Sequence, residues 1–309
     1  MKDKALHIDK VSIRYPSTKG FFEAVKSVSL DIEAGQFLAL LGPNGAGKTS
    51  LITSIVSLTD FQEGNISVFG AKAGSKQAKR EIGYVPQELV GYGFFSVNEI
   101  LNFVSGYFGI KNNQKRIDEL LERLHLTNEK DKLVSRLSGG MKRRFLIAKA
   151  LVHKPRLLLL DEPSAGVDVE LRETLWIFVR ELHAAGTAIL LTTHYIEEAE
   201  QLSESTAVID HGKIIAWDAT KSLVSKMSLK KIRLEFFEKS PAWANLKINQ
   251  DSGVFDLQLK DNALEFSVKA SLSFQDLLKL YSLPIDGLSD IHMEEGSLES
   301  AFKRLIARG

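Results

Sequence analysis

The residues most able to do chemistry stand in the stretch Gly42-Pro43-Asn44-Gly45-Ala46-Gly47-Lys48-Thr49. Its spacing is that of a phosphate-binding loop, GxxxxGK[ST]. Glycine is needed there because a backbone that curls closely around phosphate oxygens leaves no room for Cβ atoms. The freed N–H groups and the following helix N-terminus aim positive charge at the anion. Lys48 would reach the β and γ phosphates, and the Thr49 hydroxyl would ligate Mg²⁺. A second cluster closes the run Arg156-Leu157-Leu158-Leu159-Leu160-Asp161-Glu162. Four leucines read as a buried parallel strand, and ligands gather at the carboxyl ends of such strands. Asp161 fits the Mg²⁺ shell. Glu162, one residue on, is expected on the other side of the strand, placed to polarise a water.

Two further positions have the same setting at the exit of a short strand, and a third opens a helix. Ile82-Gly83-Tyr84-Val85-Pro86-Gln87 delivers a glutamine past a proline that ends the strand, where a long amide can reach a metal or a water. Thr187 to Thr193 reads as a buried strand that ends at His194. Leu137-Ser138-Gly139-Gly140-Met141 reads as a serine-capped helix start with bare N–H groups, a second place for an anion. The Lys142-Arg143-Arg144 run that follows reads as a solvated face.

The elements that position these groups alternate as in an α/β sheet. Leu6 to Tyr15 and Val25 to Ile32 read as strands separated by a break at Tyr15-Pro16 through Gly20. Gln36 to Leu41 is a buried strand, and Leu51, Ile52, Ile55 and Val56 give the next segment helical spacing. Gly64 to Phe69 is a further strand. From about Leu89 to Lys154 the pattern is helical, an insert between two halves of the sheet. Ala207 to Asp210 and Lys213 to Ala216 form a hairpin around His211-Gly212. Beyond about Ala219, Lys231–Phe237, Val254–Leu259 and Leu264–Val268 read as strands, and Ser273–Tyr281 and Ser297–Ile306 as helices.

Composition narrows the classes. The chain has 309 residues, enough for about two domains, and a net charge of +1, which leaves no basic footprint for nucleic acid. No apolar run approaches the roughly 18 residues that span a bilayer, and the N-terminus lacks a signal-peptide core. There are no cysteines, so disulfides and thiolate sites are excluded.

Together these residues resemble the ATP-binding cassette ATPases over residues from about 5 to 218. The phosphate loop is Gly42 to Thr49 with Ser50 as second hydroxyl, and Gln87 matches the glutamine loop. Leu137-Ser138-Gly139-Gly140 matches the family signature. Asp161 and Glu162 match the Walker B aspartate and catalytic glutamate, Ser164 to Asp168 the D-loop, and His194 the switch histidine. Tyr15 matches the aromatic that stacks on adenine. The resemblance implies an α/β fold: a phosphate-loop NTPase core of RecA-like type with an antiparallel β subdomain and a helical insert. It implies an ATP-binding domain over 1–218, with the insert at about 89–154, and a small C-terminal α/β accessory domain over 219–309.

It further implies ATP and Mg²⁺ as ligands, with Thr49, Gln87 and Asp161 around the metal. The implied assembly is a head-to-tail homodimer in which Ser138, Gly139 and Gly140 face the ATP held by the other copy. Glu162, His194 and Lys48 carry the implied catalysis. Ser-Gly-Gly-Met-Lys-Arg-Arg and Gly166-Val167-Asp168 look like the exporter group whose ATPase is separate from its permease, a group that acts on drugs, polysaccharides and lipids. The expected partner is therefore a separate integral-membrane chain, docked at the helical insert with Val90 to Phe95 as contact. The expected location is the cytoplasmic face of the membrane. Two other readings stay open, a cytosolic cassette protein acting on ribosomes or DNA and an importer ATPase. The single phosphate loop and neutral charge disfavour the first.

Overall fold

A computed structural model of the chain describes residues 3–18, 20–88, 93–165, 169–227, 229–238, 254–269, 287–294, 297–299 and 302. It divides into two compact units, Met1–Ala216 and Trp217–Gly309. In chain order the first unit contains β1 (Lys4–Ser17), β2 (Gly20–Glu33), β3 (Phe37–Leu41), α1 (Lys48–Ile55), β4 (Glu63–Val68) and β5 (Ala71–Lys72). It continues with α2 (Lys76–Glu81), β6 (Ile82–Val85), α3 (Val97–Tyr107), α4 (Gln114–Arg123), α5 (Gly139–Leu151) and β7 (Leu157–Asp161). Then come α6 (Val169–Ala184), β8 (Ala188–Thr193), α7 (Ile196–Leu202), β9 (Ser205–Asp210) and β10 (Lys213–Ala219), the last of which begins in the first unit and ends in the second.

Two sheets result. One is antiparallel, in the order β2-β1-β4-β5. The other runs β10-β9-β3-β8-β7-β6, and its pairs from β9 through β6 are parallel. Every residue of β3, β7 and β8 is buried, because both faces of this sheet are covered. The period-2 alternation of β7 decides what covers each face. Leu158 and Leu160 pack with the helical insert through Ile100, Leu101, Leu121 and Phe145. Leu157 and Leu159 pack with α1 and the antiparallel sheet through Leu51, Ile52, Ile8 and Ile13. Within the insert, α3 starts with a full capping box between Ser96 and Glu99. Phe145, Leu146, Ile147 and Ala148 of α5 are all buried, so this helix is enclosed rather than amphipathic.

One expected boundary moves. The strand does not break at Tyr15-Pro16: β1 runs to Ser17 and keeps its register with β2, Tyr15 opposite Phe22 and Pro16 opposite Phe21. Pairing with β4 on the other side stops at Ser12–Glu63, so Pro16 lies where the strand has one neighbour and its missing N–H costs no ladder bond.

In the second unit α8 (Thr220–Met227) precedes β11 (Leu229–Phe236), β12 (Val254–Lys260), β13 (Ala263–Lys269) and β14 (Leu288–Glu294). These strands form an antiparallel sheet in the order β12-β13-β11-β14. Ile232, Leu234 and Phe236 point to its core and Lys231, Arg233 and Glu235 away from it. The helix expected at Ser273–Tyr281 lies outside the described residues, as does most of the one expected at Ser297–Ile306. No helix among the described residues is long and apolar enough to cross a membrane.

The strand that delivers Gln87 depends on a close approach. A Cβ on Gly83 would lie 2.5 Å from the Ala150 carbonyl oxygen of α5 and 2.8 Å from Pro155 Cγ. Gly83→Ala should therefore destabilise the chain by about 1–3 kcal/mol in urea unfolding, the range of core overpacking. Unfolding indistinguishable from the unmutated chain would show that β6 and α5 are not packed this tightly.

Candidate nucleotide-hydrolysis site

The loop after β3 is shaped by contacts that exclude side chains. A Cβ on Gly42 would lie 2.3 Å from the Ile209 carbonyl oxygen. Gly47, at φ 106°, is left-handed, and a Cβ there would lie 2.4 Å from the Ala24 carbonyl oxygen. The Gly42 N–H donates to Thr193 O at 3.3 Å and the Ala46 N–H to Pro43 O at 3.2 Å, which closes the loop onto β8. Lys48 begins α1 and folds its side chain back under the loop. Its Nζ donates to Gly42 O at 2.9 Å and Pro43 O at 3.1 Å, and pairs with Glu162 Oε1 at 3.1 Å. A cavity of about 330 Å³ opens beside it, lined by Tyr15, Phe22, Lys48, Thr49, Gln87 and Glu162 among others.

The two carboxylates at the end of β7 do not point to opposite sides. Glu162 lies past the last strand residue in left-handed backbone, φ 46°, and this turns it back onto the loop that Asp161 also faces. Such a conformation costs a non-glycine residue about 1–3 kcal/mol and persists only where its surroundings hold it. Here the Glu162 N–H donates to Thr192 O at 3.0 Å and Thr192 Oγ1 at 3.2 Å. Its carbonyl accepts from the Ala165 N–H at 3.1 Å and from Arg143 Nη2 at 3.3 Å. Asp161 is fully buried. Its Oδ1 accepts from Thr192 Oγ1 at 2.5 Å and lies 3.4 Å from Thr49 Oγ1, while its Oδ2 has no hydrogen-bond partner. Burial pushes the Asp161 carboxyl above its usual range, against the bonds from Thr192 and Thr49. A hydroxyl beside an unpartnered carboxylate oxygen suits a hard divalent cation completed by phosphate oxygens and water.

The other expected residues separate into those brought to this place and those that are not. Gln87 Nε2 donates to Glu162 Oε2 at 3.1 Å. His194 Nδ1 lies 3.1 Å from the same oxygen, in ion-pair range though without hydrogen-bond alignment. The turn that carries His194 is pinned by Thr193, whose Oγ1 accepts from the Tyr195 N–H at 2.9 Å and donates to buried Glu198. Tyr15 OH donates to Ser50 Oγ at 3.1 Å. Ser138 caps α5 by accepting from the Met141 N–H at 3.2 Å. Ser138 and Gly139 are exposed, Gly140 is half-buried, and none of them lines the Lys48 cavity. Asp168 lies outside the described residues.

Two residues escaped the sequence reading. Phe22 lines the cavity with Tyr15, its register partner, which only the full length of the β1–β2 hairpin reveals. The expectation that Lys142-Arg143-Arg144 is a solvated face fails at Arg143, which is 3% exposed. Its guanidinium donates to Pro86 O at 2.7 Å and Gln87 O at 3.0 Å as well as to Glu162 O. Burial draws its pKa below the ordinary range, opposed by Asp161 and Glu162. Arg144 instead donates to Leu124 O and His125 O, carbonyls at the C-terminal end of α4.

Comparison with known proteins gives these findings. The family model described as ABC transporter matches residues 25–165. The linearmycin resistance ATP-binding protein LnrL of Bacillus subtilis is 39% identical over 66% of this chain and 67% of its own. A Nod factor export ATP-binding protein I of Burkholderia pseudomallei is 34% identical over 92% of both chains. Among solved structures, an ATP-binding subunit of an ABC transporter superposes with a TM-score of 0.65 at 27% identity, over 71% of this chain and 91% of that one. An ATP-binding cassette solved as a dimer with ADP and Pi shares the fold at TM-score 0.64 and 23% identity, over 69% of this chain and 98% of that one.

The state of Asp161 sets a pH dependence. Its folded-state pKa lies above the 3.8 of an ordinary aspartate, so the folded chain holds this proton more tightly than the unfolded chain. Its contribution to stability therefore falls as pH rises from about 3.8 through the folded value. In thermal melts with EDTA, Asp161→Asn should gain on the unmutated chain as pH rises above about 3.8. A difference that is constant with pH, or that moves against the variant, would contradict the raised pKa.

Proposed function

This chain belongs to the ABC transporter family, and on that premise we propose that it is the ATP-binding and ATP-hydrolysing subunit of a membrane exporter. We propose a homodimer that works with a separately encoded permease at the cytoplasmic face of the membrane, with no nucleic-acid partner. Export is supported by relatives named for Nod factor export. The observation that carries the hydrolytic reading is the convergence of Lys48, Gln87 and His194 on the single carboxylate of Glu162.

The mechanism follows from what those groups can exchange. The β and γ phosphates draw Lys48 Nζ away from Glu162 Oε1, and the loop N–H groups around Gly45 and Gly47 hold the phosphate oxygens. Glu162, released from its ion pair, accepts a proton from water as the water oxygen attacks the γ phosphorus and the bond to the β-phosphate oxygen breaks. Gln87 and His194, on the other carboxylate oxygen, orient Glu162 and meet the charge that develops on the γ phosphate. Thr49, Asp161 and Gln87 would hold Mg²⁺, which when bound neutralises phosphate charge. Tyr15 stacks on the adenine, and Asp168 belongs to the D-loop.

The exposed signature supports a second copy. Ser138 caps α5 and Gly139 and Gly140 open it away from their own chain's cavity, and a helix N-terminus favours an anion, so a two-fold pair brings them to the ATP of the other copy. The permease docks on the helical insert. There an apolar groove of about 660 Å³ is lined by Leu58, Tyr84, Phe95, Phe103, Tyr107 and Phe108. Phe95 closes the Val90–Phe95 stretch, whose residues 90–92 lie outside those described. Residues 1–218 form the nucleotide domain and 219–309 an accessory domain.

Glu162→Gln should lower hydrolysis by about 10²–10⁴-fold, the usual worth of a general base. It should leave ATP affinity unchanged or tighter, because Lys48 loses the competing carboxylate. Near-normal turnover would remove Glu162 from the role. The pairing in trans has its own test in that background. Lys48→Ala and Ser138→Arg on separate chains should each fail to occlude ATP, while their mixture should recover about one ATP per dimer by symmetry. A mixture of folded chains that recovers nothing would disprove the pairing.

A further inference from the structure

Arg143 stands on α5, one turn beyond the Ser138 cap, with its charged end inside the protein. A buried guanidinium is costly unless every donor direction is used. Here the fork divides between two segments that are far apart in sequence. One arm holds Pro86 O and the other spans Gln87 O and Glu162 O, so the same planar group is fixed to the exit of β6 and to the residue after β7. Those are the two segments whose side chains meet at Glu162 Oε2. The carbonyl it holds on Glu162 belongs to the left-handed residue, where the backbone would otherwise relax toward extended geometry and swing the carboxylate off the loop.

We propose that Arg143 is a positioning residue for hydrolysis: by holding the Gln87 and Glu162 carbonyls on one nitrogen, Nη2, it sets where the Glu162 carboxylate stands relative to the attacking water. This rests on the reading of Glu162 as the base. A planar fork is required because a guanidinium aims fixed N–H groups at both segments at once, Nη1 at Pro86 O and the two diverging N–H groups of Nη2 at Gln87 O and Glu162 O. An ammonium is a point charge that satisfies them incompletely, and a neutral isostere satisfies none. Arg143 makes no contact with the loop N–H groups or with Thr49 among its described bonds, so ATP binding does not pass through it.

The test compares Arg143→Met and Arg143→Lys with the unmutated chain and Glu162→Gln. Steady-state ATP turnover, equilibrium binding of ATP and thermal unfolding are measured on each. Arg143→Met should lower kcat by about tenfold or more through misplacement of the base, with KM and ATP affinity changed by less than about threefold. Arg143→Lys should fall between Met and the unmutated chain. A loss of kcat matched by an equal loss of ATP binding would mean that Arg143 only holds the fold, and would overturn the proposal. Should Arg143→Met fail to fold, the lysine variant decides: full turnover in it overturns the proposal, and reduced kcat with intact binding supports it. Turnover that survives Glu162→Gln would instead overturn the reading of the base itself. Turnover lost in Glu162→Gln but untouched in a folded Arg143→Met overturns the role of Arg143 alone.

Discussion

Four charged side chains are buried at the end of an apolar parallel sheet, and the rest of the site follows from keeping them there. Lys48, Arg143, Asp161 and Glu162 are each at most 5% exposed. Two are cations and two are anions, so these four offset one another, the condition under which charges survive in low dielectric. Their fixings differ. Arg143 is bound to backbone carbonyls and has nothing to trade, whereas Lys48 shares itself between two carbonyls and the Glu162 carboxylate. An incoming polyphosphate can therefore exchange one partner of Lys48 without disturbing Arg143. One cation responds to the ligand, and the other holds the frame in which the response occurs.

That arrangement explains which parts were legible in the sequence. The phosphate loop was legible because its geometry is local. Gly42 and Gly47 are crowded by carbonyls that leave no room for a Cβ, and the glycines record this directly. The buried strands were legible because β3 and β7 are covered on both faces and so are apolar without alternation. The Ser138 cap was legible because capping chemistry is contained within four residues.

What was hidden depends on partners that are distant in the chain. Arg143 reads like Lys142 and Arg144 beside it because nothing near it in sequence marks the carbonyls at Pro86 and Glu162, which lie 57 and 19 positions away. The direction of Glu162 was misjudged because strand alternation was carried one residue too far. The strand ends at Asp161, and Thr192 and Arg143 then impose a backbone that alternation does not describe. The role of Phe22 depended on a hairpin continuing through a proline, a question decided by whether the strand has a second neighbour at that point.

The strand that reconciles these distant partners is β8. It lies between β3 and β7, with Leu41 in register with its Thr193 and Asp161 with its Thr192. Thr193 O receives the first N–H of the phosphate loop, and its hydroxyl shapes the turn at His194. Thr192 holds the Asp161 carboxylate and the Glu162 backbone. Two adjacent threonines thus fix the spacing between the phosphate grip, the carboxylates and the histidine, groups that come from three separate stretches of chain. Threonine suits the task because its hydroxyl can donate and accept while its methyl group packs in the sheet. A register slip of one residue would exchange the two threonines between faces and break these contacts together. The catalytic geometry is therefore as stable as the register of one buried strand, and that register is enforced by Ile189, Leu190 and Leu191, which divide between the two cores.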